Sequence, residues 1–457
     1  MAPMISEKLA RFVADFDSRQ LPEDVQHHAK MLVLDALGIA LASTRFDFAR
    51  ITCNALRALD GGDSRVIGMK GRLGLRDAVM LNSTLVHGLD YDDTYLPGSV
   101  HLSASVVPTV LTLAEHVGAN GEDLLVACAL GLEFGARFGA AGNGGFLRNG
   151  FHATSVVGTF ACTLAAGRLL GLTAQQLTLA QGIALSMASG NMQPMQDGSW
   201  TKRLHPGLAG AAGVTACFLA REGFIGPKAA YEGRFGLFPH FLGQHYKDAK
   251  LDAIEDDLGK RWEFTRTSFK LFPACHQMHA FLNAAIKLAQ QHRIRPADIE
   301  AVHALVAEPA VPLVVEPLAV KKAPDSSYAA QFSLPYGLAC ALTRGRFGLQ
   351  ELEAESYTEP GLRALADKFT YELDPDPGFP KFRSGEVIVR LKDGQRLRQR
   401  ENLKPDEPIG EPHILEKFAM NATSVVTKEK AAKIQEEVLA LECMKNAREL
   451  VALLSAE

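Results

Sequence analysis

At 457 residues the chain is longer than one hydrophobic core comfortably serves, so two domains are expected. Its 47% hydrophobic and 22% charged residues fit a globular fold, and a formal charge of −4 provides no basic field for nucleic acid or anionic lipid. Seven cysteines without a Cys-x-x-Cys pair argue for buried reduced thiols rather than zinc or iron–sulfur ligation.

The most apolar stretches, such as Ser155 to Leu170, are broken by Gly and Arg and fall short of the roughly 20 residues of a membrane helix. The N-terminus carries acidic residues early and lacks the apolar core of a signal peptide. A cytoplasmic protein with no membrane or nucleic-acid partner is expected.

Taken in order, the first half reads as helices punctuated by Gly and Pro. Leu9 to Phe16 forms a turn or two, and Pro22 opens a helix to about Ala42. Ser64 to Gly71 reads as extended, and Leu75 to His87 as helix. Ser103 to Val117, carrying Pro108, and Glu122 to Phe138 follow as helices. A Gly-rich loop from Gly139 to Gly150 delivers His152 to a helix from Thr154 to Leu170. Thr173 and Gln176 fit a capping box for a helix to about Ser189. A polar loop beginning at Asn191 leads to a helix from Pro206 to Arg221.

Near Gly259 the character changes. Alternation predicts a strand over Trp262 to Leu271, a helix over Ala274 to His292 and a strand over Ile299 to Ala307. A Pro-rich connection, a helix from Tyr328 to Leu342, a strand from Phe369 to Leu373 and a hairpin turning at Lys392-Asp393-Gly394 follow. From Pro412 the pattern is helical again. The expected fold is mostly α with an α+β second domain: residues 1–262 helical, 263–405 α+β, and 406–457 helices returning to the first domain.

The candidate chemistry starts at the corner from His87 to Val106. Asp90, Asp92 and Asp93 lie where a helix should be ending, and negative charge there opposes the macrodipole, so helix stability does not account for them. Solvated surface, carboxylate catalysis and divalent-metal binding are all open on this motif alone. His101 and His152 share one local grammar, each followed by Ser or Thr and an apolar helix. A neutral imidazole at a helix start can accept a proton or bind an anion. Lys202, beside Trp200, is a counter-charge for substrate carboxylates, and Arg203 competes for that role. His276 and His279 would share a helical face, but the spacing lacks the rest of a zinc motif. Tyr336 is either a packed core aromatic or an acid reaching a cleft. No dinucleotide, P-loop or serine-hydrolase motif is present.

These residues sit in motifs that resemble the 2-methylcitrate dehydratase (MmgE/PrpD) family, which includes cis-aconitate decarboxylase and iminodisuccinate epimerase. The resemblance rests on Asp35-Ala-Leu-Gly, His87-Gly-Leu-Asp-Tyr-Asp-Asp-Thr, His101-Leu-Ser-Ala-Ser, Gly150-Phe-His-Ala-Thr-Ser, Thr201-Lys-Arg-Leu-His-Pro-Gly, Phe272-Pro-Ala-Cys-His-Gln-Met-His and Phe332-Ser-Leu-Pro-Tyr, in family order. It implies an all-helical domain built from both chain ends, an inserted α+β lid domain, homodimerisation, and neither metal nor organic cofactor. Active-site positions of the decarboxylase members map onto Asp90, Thr94, His101, His152, Lys202, His279 and Tyr336. This chain departs at His101-Leu-Ser, where many members have His-Pro-Ser, and at Cys275, where decarboxylases can carry histidine.

The resemblance implies a lyase acting next to a carboxylate of a small di- or tricarboxylic acid, with dehydration of a 2-methylcitrate- or citrate-like acid as the first expectation. Decarboxylation or epimerisation of a related acid is the second, and a catalytically silent carboxylate-binding homologue is the alternative class. The expected catalytic set is His101, His152, Asp90 and Lys202, with Thr94, Tyr336, His279 and Arg203 binding substrate and no metal site.

Overall fold

The computed structural model describes residues 3–197, 199–378, 382–404 and 409–456. The chain divides into two compact units, one made of Met1–Gly88, Asp92–Phe269 and Ile409–Glu457, the other of Leu89–Tyr91 and Lys270–Pro408.

The first unit is helical: α1 (Ile5–Asp15), α2 (Glu23–Ser43), α3 (Asp47–Arg57), α4 (Leu75–His87), α5 (Leu102–Val117), α6 (Gly121–Gly142), α7 (Gly145–Arg148), α8 (Ala153–Leu169), α9 (Ala174–Leu185), α10 (Pro194–Asp197), α11 (Thr201–Arg221) and α12 (Leu237–Leu242). The extended piece near Ser64 is β1 (Ser64–Arg65), paired antiparallel with β2 (Arg72–Leu73). The capping box before α9 is realised, with Thr173 and Gln176 satisfying each other's backbone amides.

At the centre, α11 packs on both α8 and α4. Glycine makes that approach possible: a Cβ on Gly207 would lie 2.4 Å from the Met80 carbonyl oxygen, and one on Gly213 would lie 2.8 Å from the Thr163 amide nitrogen. Larger residues there would push apart the helices that carry the site. Among the described residues one helix, α6, is long and apolar enough to cross a membrane, but it is almost wholly buried inside this unit. It holds the ion pair of Glu133 and Arg137, whose guanidinium also donates to the carbonyls of Ala253, Ile254, Asp256 and Arg261.

The C-terminal helix Glu411–Thr423 packs against α2, where Lys417 Nζ meets the buried Asp35 carboxylate at 2.7 Å. The Asp35 motif thus acts here as an anchor for the returning end of the chain.

The second unit is α+β. Its sheet has the order β4-β3-β5-β6, with β3 (Ile299–Val306) parallel to β4 (Phe369–Leu373) and antiparallel to β5 (Arg383–Leu391), and β5 antiparallel to β6 (Arg396–Leu403). The parallel β3/β4 pair needs a long crossover, and the helices between residues 311 and 366 provide it. Helix α13 (His279–His292) covers β5 and β6 and packs on the helix Leu334–Arg344.

Three expectations require correction. Trp262 to Leu271 is not a strand; it is a single 3₁₀ turn, Glu263–Arg266, and an isolated bridge between Ser268 and Thr94. The alternation there reflects aromatic anchors: Trp262 packs on Phe16, and Phe264 and Phe269 both pack on His28. The helix over Tyr328 to Leu342 is broken in two, because Ser333 accepts the Tyr336 amide and Pro335 favours a new helix start. Finally, α11 begins at Thr201 rather than Pro206, so Lys202, Arg203 and His205 lie in its first turns.

Candidate active site

Four segments of the helical unit converge. Helix α4 ends in His87, and His101 and His152 are the N-cap residues of α5 and α8, with extended φ of −91° and −77°. Lys202 and His205 are three apart on α11 and therefore share a face. Neither N-cap histidine caps its own helix by its side chain. For α5 that role falls to Asp93, whose carboxylate accepts the amides of Leu102 and Ser103, each at 3.0 Å, and the Ser103 hydroxyl. The cap of α5 is thus supplied from across the turn, which leaves the His101 ring for other partners.

His101 Nδ1 lies 2.7 Å from the Asp93 carbonyl oxygen and 3.5 Å from Thr94 Oγ1. A carbonyl only accepts, so Nδ1 carries the hydrogen, and the neutral ring has its lone pair at Nε2. Its backbone amide donates to Thr154 Oγ1 at 3.0 Å, which ties the start of α5 to α8.

His87 is fully enclosed. Its Nδ1 is 2.8 Å from Asp92 Oδ2 and its Nε2 is 3.1 Å from Lys202 Nζ. His101 Nδ1 stands 3.6 Å from the same Asp92 oxygen. Ring centroids are 4.8 Å apart for His87 and His101, 5.6 Å for His87 and His152, and 6.0 Å for His101 and His152.

Burial sets the protonation of the outer members. His152 is held well below the ordinary imidazole range by burial, with Lys202 and His87 adding to the effect. His205 is lowered to about 4 by burial and by His87 and Lys202. Both are neutral at neutral pH. Asp93 is pushed up to about 7 by burial and by Asp92, against the pull of the Ser103 and Leu102 donors.

The sequence-predicted residues divide between the units. His101, His152, Thr94 and Lys202 come together in the helical unit. Arg203 is buried there too, with its guanidinium over the Phe48 ring at 4.4 Å and the Trp200 ring at 5.3 Å, an aromatic clamp. Asp90, His279 and Tyr336 belong to the α+β unit. Asp90 has a φ of 48° and pairs with Lys270 at 3.2 Å; Lys270 also donates to the Asp90 carbonyl. Inside the helical unit the carboxylate beside the histidines is Asp92, which lies outside the expected catalytic set. His279 is buried, with Nε2 donating to the Ala274 carbonyl at 3.2 Å and its ring 4.7 Å from that of His276. Tyr336 packs in the core and donates its hydroxyl to the Glu351 carbonyl at 2.6 Å, the satisfied core aromatic of the two readings.

His87, Asp92 and His205 lie outside the catalytic and substrate-binding sets that the sequence led one to expect. The signals were present: a histidine on the last turn of a helix five residues before an aspartate, and a second histidine one helical turn beyond Lys202. Ring nitrogens of His87, His101 and His152 lie within 4.8 Å of one another, close enough to share a cation. Such an ion would compete with Lys202 for His87 Nε2 and would sit against its ammonium, so this donor set fits a metal poorly.

Residues 7–249 match the MmgE/PrpD N-terminal domain and residues 272–442 the MmgE/PrpD C-terminal domain. The chain belongs to the MmgE/PrpD family. Among curated relatives, this family member is 27% identical to the cis-aconitate decarboxylase-like protein oryM of Aspergillus oryzae, over 99% of this chain and 98% of that protein. It is also 27% identical to the cis-aconitate decarboxylases of Aspergillus terreus and Homo sapiens, over 99% of this chain and 96% and 95% of theirs.

Proposed function

We propose that this MmgE/PrpD protein is a lyase acting on a small di- or tricarboxylic acid next to a carboxylate, with decarboxylation of a cis-aconitate-like acid as the first reading. The observation that carries it is the company Lys202 keeps: a buried cation 3.1 Å from His87 Nε2 and acting on neutral His152, with His101, whose Nδ1–H is tied to Asp93, packed against the His87 ring. Cleaving a carbon–carboxylate bond leaves its electron pair on the adjoining carbon as enolate-like charge. A preorganised cation and hydroxyl donor, Lys202 and Thr94, stabilise such charge in a site with little water. A proton then completes the product. Relatives aligned over nearly the whole chain and named as cis-aconitate decarboxylases support this order of preference over the dehydration that the sequence alone put first.

One observation favours dehydration as a second reading. His101 has its lone pair at Nε2 while Lys202 is an ammonium, so the cluster holds a base as well as an acid. Decarboxylation needs only the acid, whereas loss of water needs both.

Proton NMR in deuterium oxide with cis-aconitate, citrate, 2-methylcitrate and amino-dicarboxylates decides among them. Loss of carbon dioxide from cis-aconitate is expected, while loss of water from a hydroxy acid would establish the second reading. No product and no deuterium uptake from any acid would identify a silent homologue and overturn both. Repeating the assay with a chelator tests the cofactor-free mechanism, because a loss restored by a divalent ion would contradict it.

A further inference from the structure

His87 has a donor-only group at one end of its ring and an acceptor-only group at the other. The Asp92 carboxylate, 2.8 Å from Nδ1, can only accept, so Nδ1 carries a hydrogen. The Lys202 ammonium, 3.1 Å from Nε2, can only donate, so Nε2 presents a lone pair. The two ends select the same tautomer independently. The array is almost sealed from solvent, with relative exposures of 0% for Asp92, 1% for His87 and 7% for Lys202.

One property of this array is independent of its surroundings. Moving a single proton along the 3.1 Å contact converts neutral imidazole plus ammonium into imidazolium plus amine, and the net charge of the three groups does not change. Burial therefore opposes the transfer much less than it opposes the creation of a new charge. Asp92 favours the imidazolium, since it already accepts from Nδ1 and is the nearest counter-ion.

We infer that Asp92 and His87 form a proton relay to Lys202, making the lysine the group that delivers the product proton rather than only a counter-charge for a carboxylate. This rests on the lyase reading above. As the carbon–carboxylate bond breaks, its electron pair stays on carbon. A Lys202 N–H bond breaks, a C–H bond forms, and Lys202 is left as the amine. With the product gone, the Lys202 amine turns into the vacated pocket and uncovers His87 Nε2, which takes up a solvent proton and becomes the imidazolium. When Nζ returns, the Nε2–H bond breaks as an Nζ–H bond forms, and the imidazole returns to its Nδ1–H tautomer because Asp92 has held that hydrogen throughout. The proton taken from solvent is the one that decarboxylation of a carboxylate consumes, so the cycle balances. His87 and Asp92 are thus positioning and relay residues, and Lys202 is the catalytic one.

The groups around the relay bear on its pH response. His152 stacks on His87, His101 lies tilted against it, and His205 on α11 interacts electrostatically with both His87 and Lys202. His152 and His205 are held neutral across the neutral range, and Asp93, raised to about 7 by burial and by Asp92, titrates beside the relay.

The test uses the intact protein. In ¹⁵N-histidine NMR, His87 should appear as the Nδ1–H tautomer, and its Nε2 resonance should move in Lys202→Met. In kinetics with the acid that wild type consumes, His87→Gln supplies an oxygen that can accept from the ammonium but cannot carry a proton. It should keep KM within about threefold, lose at least about 100-fold in kcat and flatten the pH profile, within the usual range for acid–base groups. Asp92→Asn can still accept the Nδ1–H through its amide oxygen but removes the negative charge that favours the imidazolium, so it should keep the tautomer and lower kcat. An Nε2–H tautomer in the wild-type protein would overturn the relay, as would a His87→Gln enzyme with unchanged kcat and pH profile. If wild type consumes no acid, the lyase reading fails on its own, and the tautomer and its response to Lys202→Met still decide whether the relay exists.

Discussion

His152 Nδ1 and His205 Nδ1 meet at 3.0 Å, so one ring must donate and the other accept. Two imidazoliums could not share that contact, and burial holds both rings neutral. The pair fixes the ring plane of His152 at the start of α8 from the first turns of α11. His205 is thus a support for His152, and the Thr201-Lys-Arg-Leu-His motif contributes two residues to the cluster.

The first prediction concerns pH and stability. A histidine lowered in the folded state binds fewer protons than in the unfolded chain between its two pKa values, so stability falls as pH drops through that window. For His205 and for His28, which burial also lowers to about 4, the window runs from the ordinary imidazole value of 6.5 down to about 4, and His152 acts in the same direction. Asp93, raised to about 7 from 3.8, has the opposite sign and gains stability for the fold over much of that range. Three histidines against two carboxyls, Asp93 and the buried Glu133 that burial also raises, give a net loss on acidification, at about 1.4 kcal/mol for each unit of displacement of each group. Urea unfolding from pH 7.5 to 4.5 should show a falling midpoint, and His205→Gln should flatten the curve. A midpoint that rises towards acid would contradict the buried neutral pair.

The second concerns turnover. His101→Ala and Lys202→Ala should each preserve the circular dichroism spectrum; Lys202→Ala should cost about 1–3 kcal/mol of stability, because it leaves the buried His87 Nε2 without its donor. Each should lower turnover at least about 100-fold. Near-normal turnover in either variant would remove that residue from the mechanism.

The third concerns the anchor between the chain ends. Lys417→Ala leaves the Asp35 carboxylate buried and without its ammonium, which costs about 3–5 kcal/mol for a buried pair. The double variant Lys417→Met with Asp35→Leu should recover most of that loss, because it removes both charges. Thermal melts of the single and double variants measure the difference directly.

Much of this was legible in the sequence where local chemistry is self-sufficient. The Thr173 capping box, the β5–β6 hairpin around Asp393-Gly394 and the eight residues of β3 follow from caps, turn residues and alternation. Trp262 to Leu271 was misread because its alternating aromatics insert into helical surroundings, a tertiary effect with the same period as a strand. At the site, the shared grammar of His101 and His152 was readable because an N-cap position is a local feature. The choice among Asp90, Asp92 and Asp93 was not, because the chain takes a positive φ at Asp90 and sends adjacent carboxylates to different partners: Lys270, His87 and the start of α5.

The last prediction follows from the double duty of Asp93. Its carboxylate caps α5 through two amides and a hydroxyl, while its carbonyl oxygen holds the Nδ1–H of His101. Removing the side chain alone leaves the carbonyl present but frees the turn that aims it. Asp93→Ala should cost about 1–2 kcal/mol through the lost cap, offset most above pH 7, where the carboxyl it removes would be ionised against burial. It should also lower turnover, because His101 loses the fixed tautomer on which its role as a base depends. Asp93→Asn separates the two effects: its amide oxygen can still accept one N–H of α5 and keep the turn in place, so it should recover turnover more fully than stability. If Asp93→Asn and Asp93→Ala lose turnover equally while differing in stability, then the cap does not position His101, and the Asp93 carbonyl is held by the rest of the turn alone.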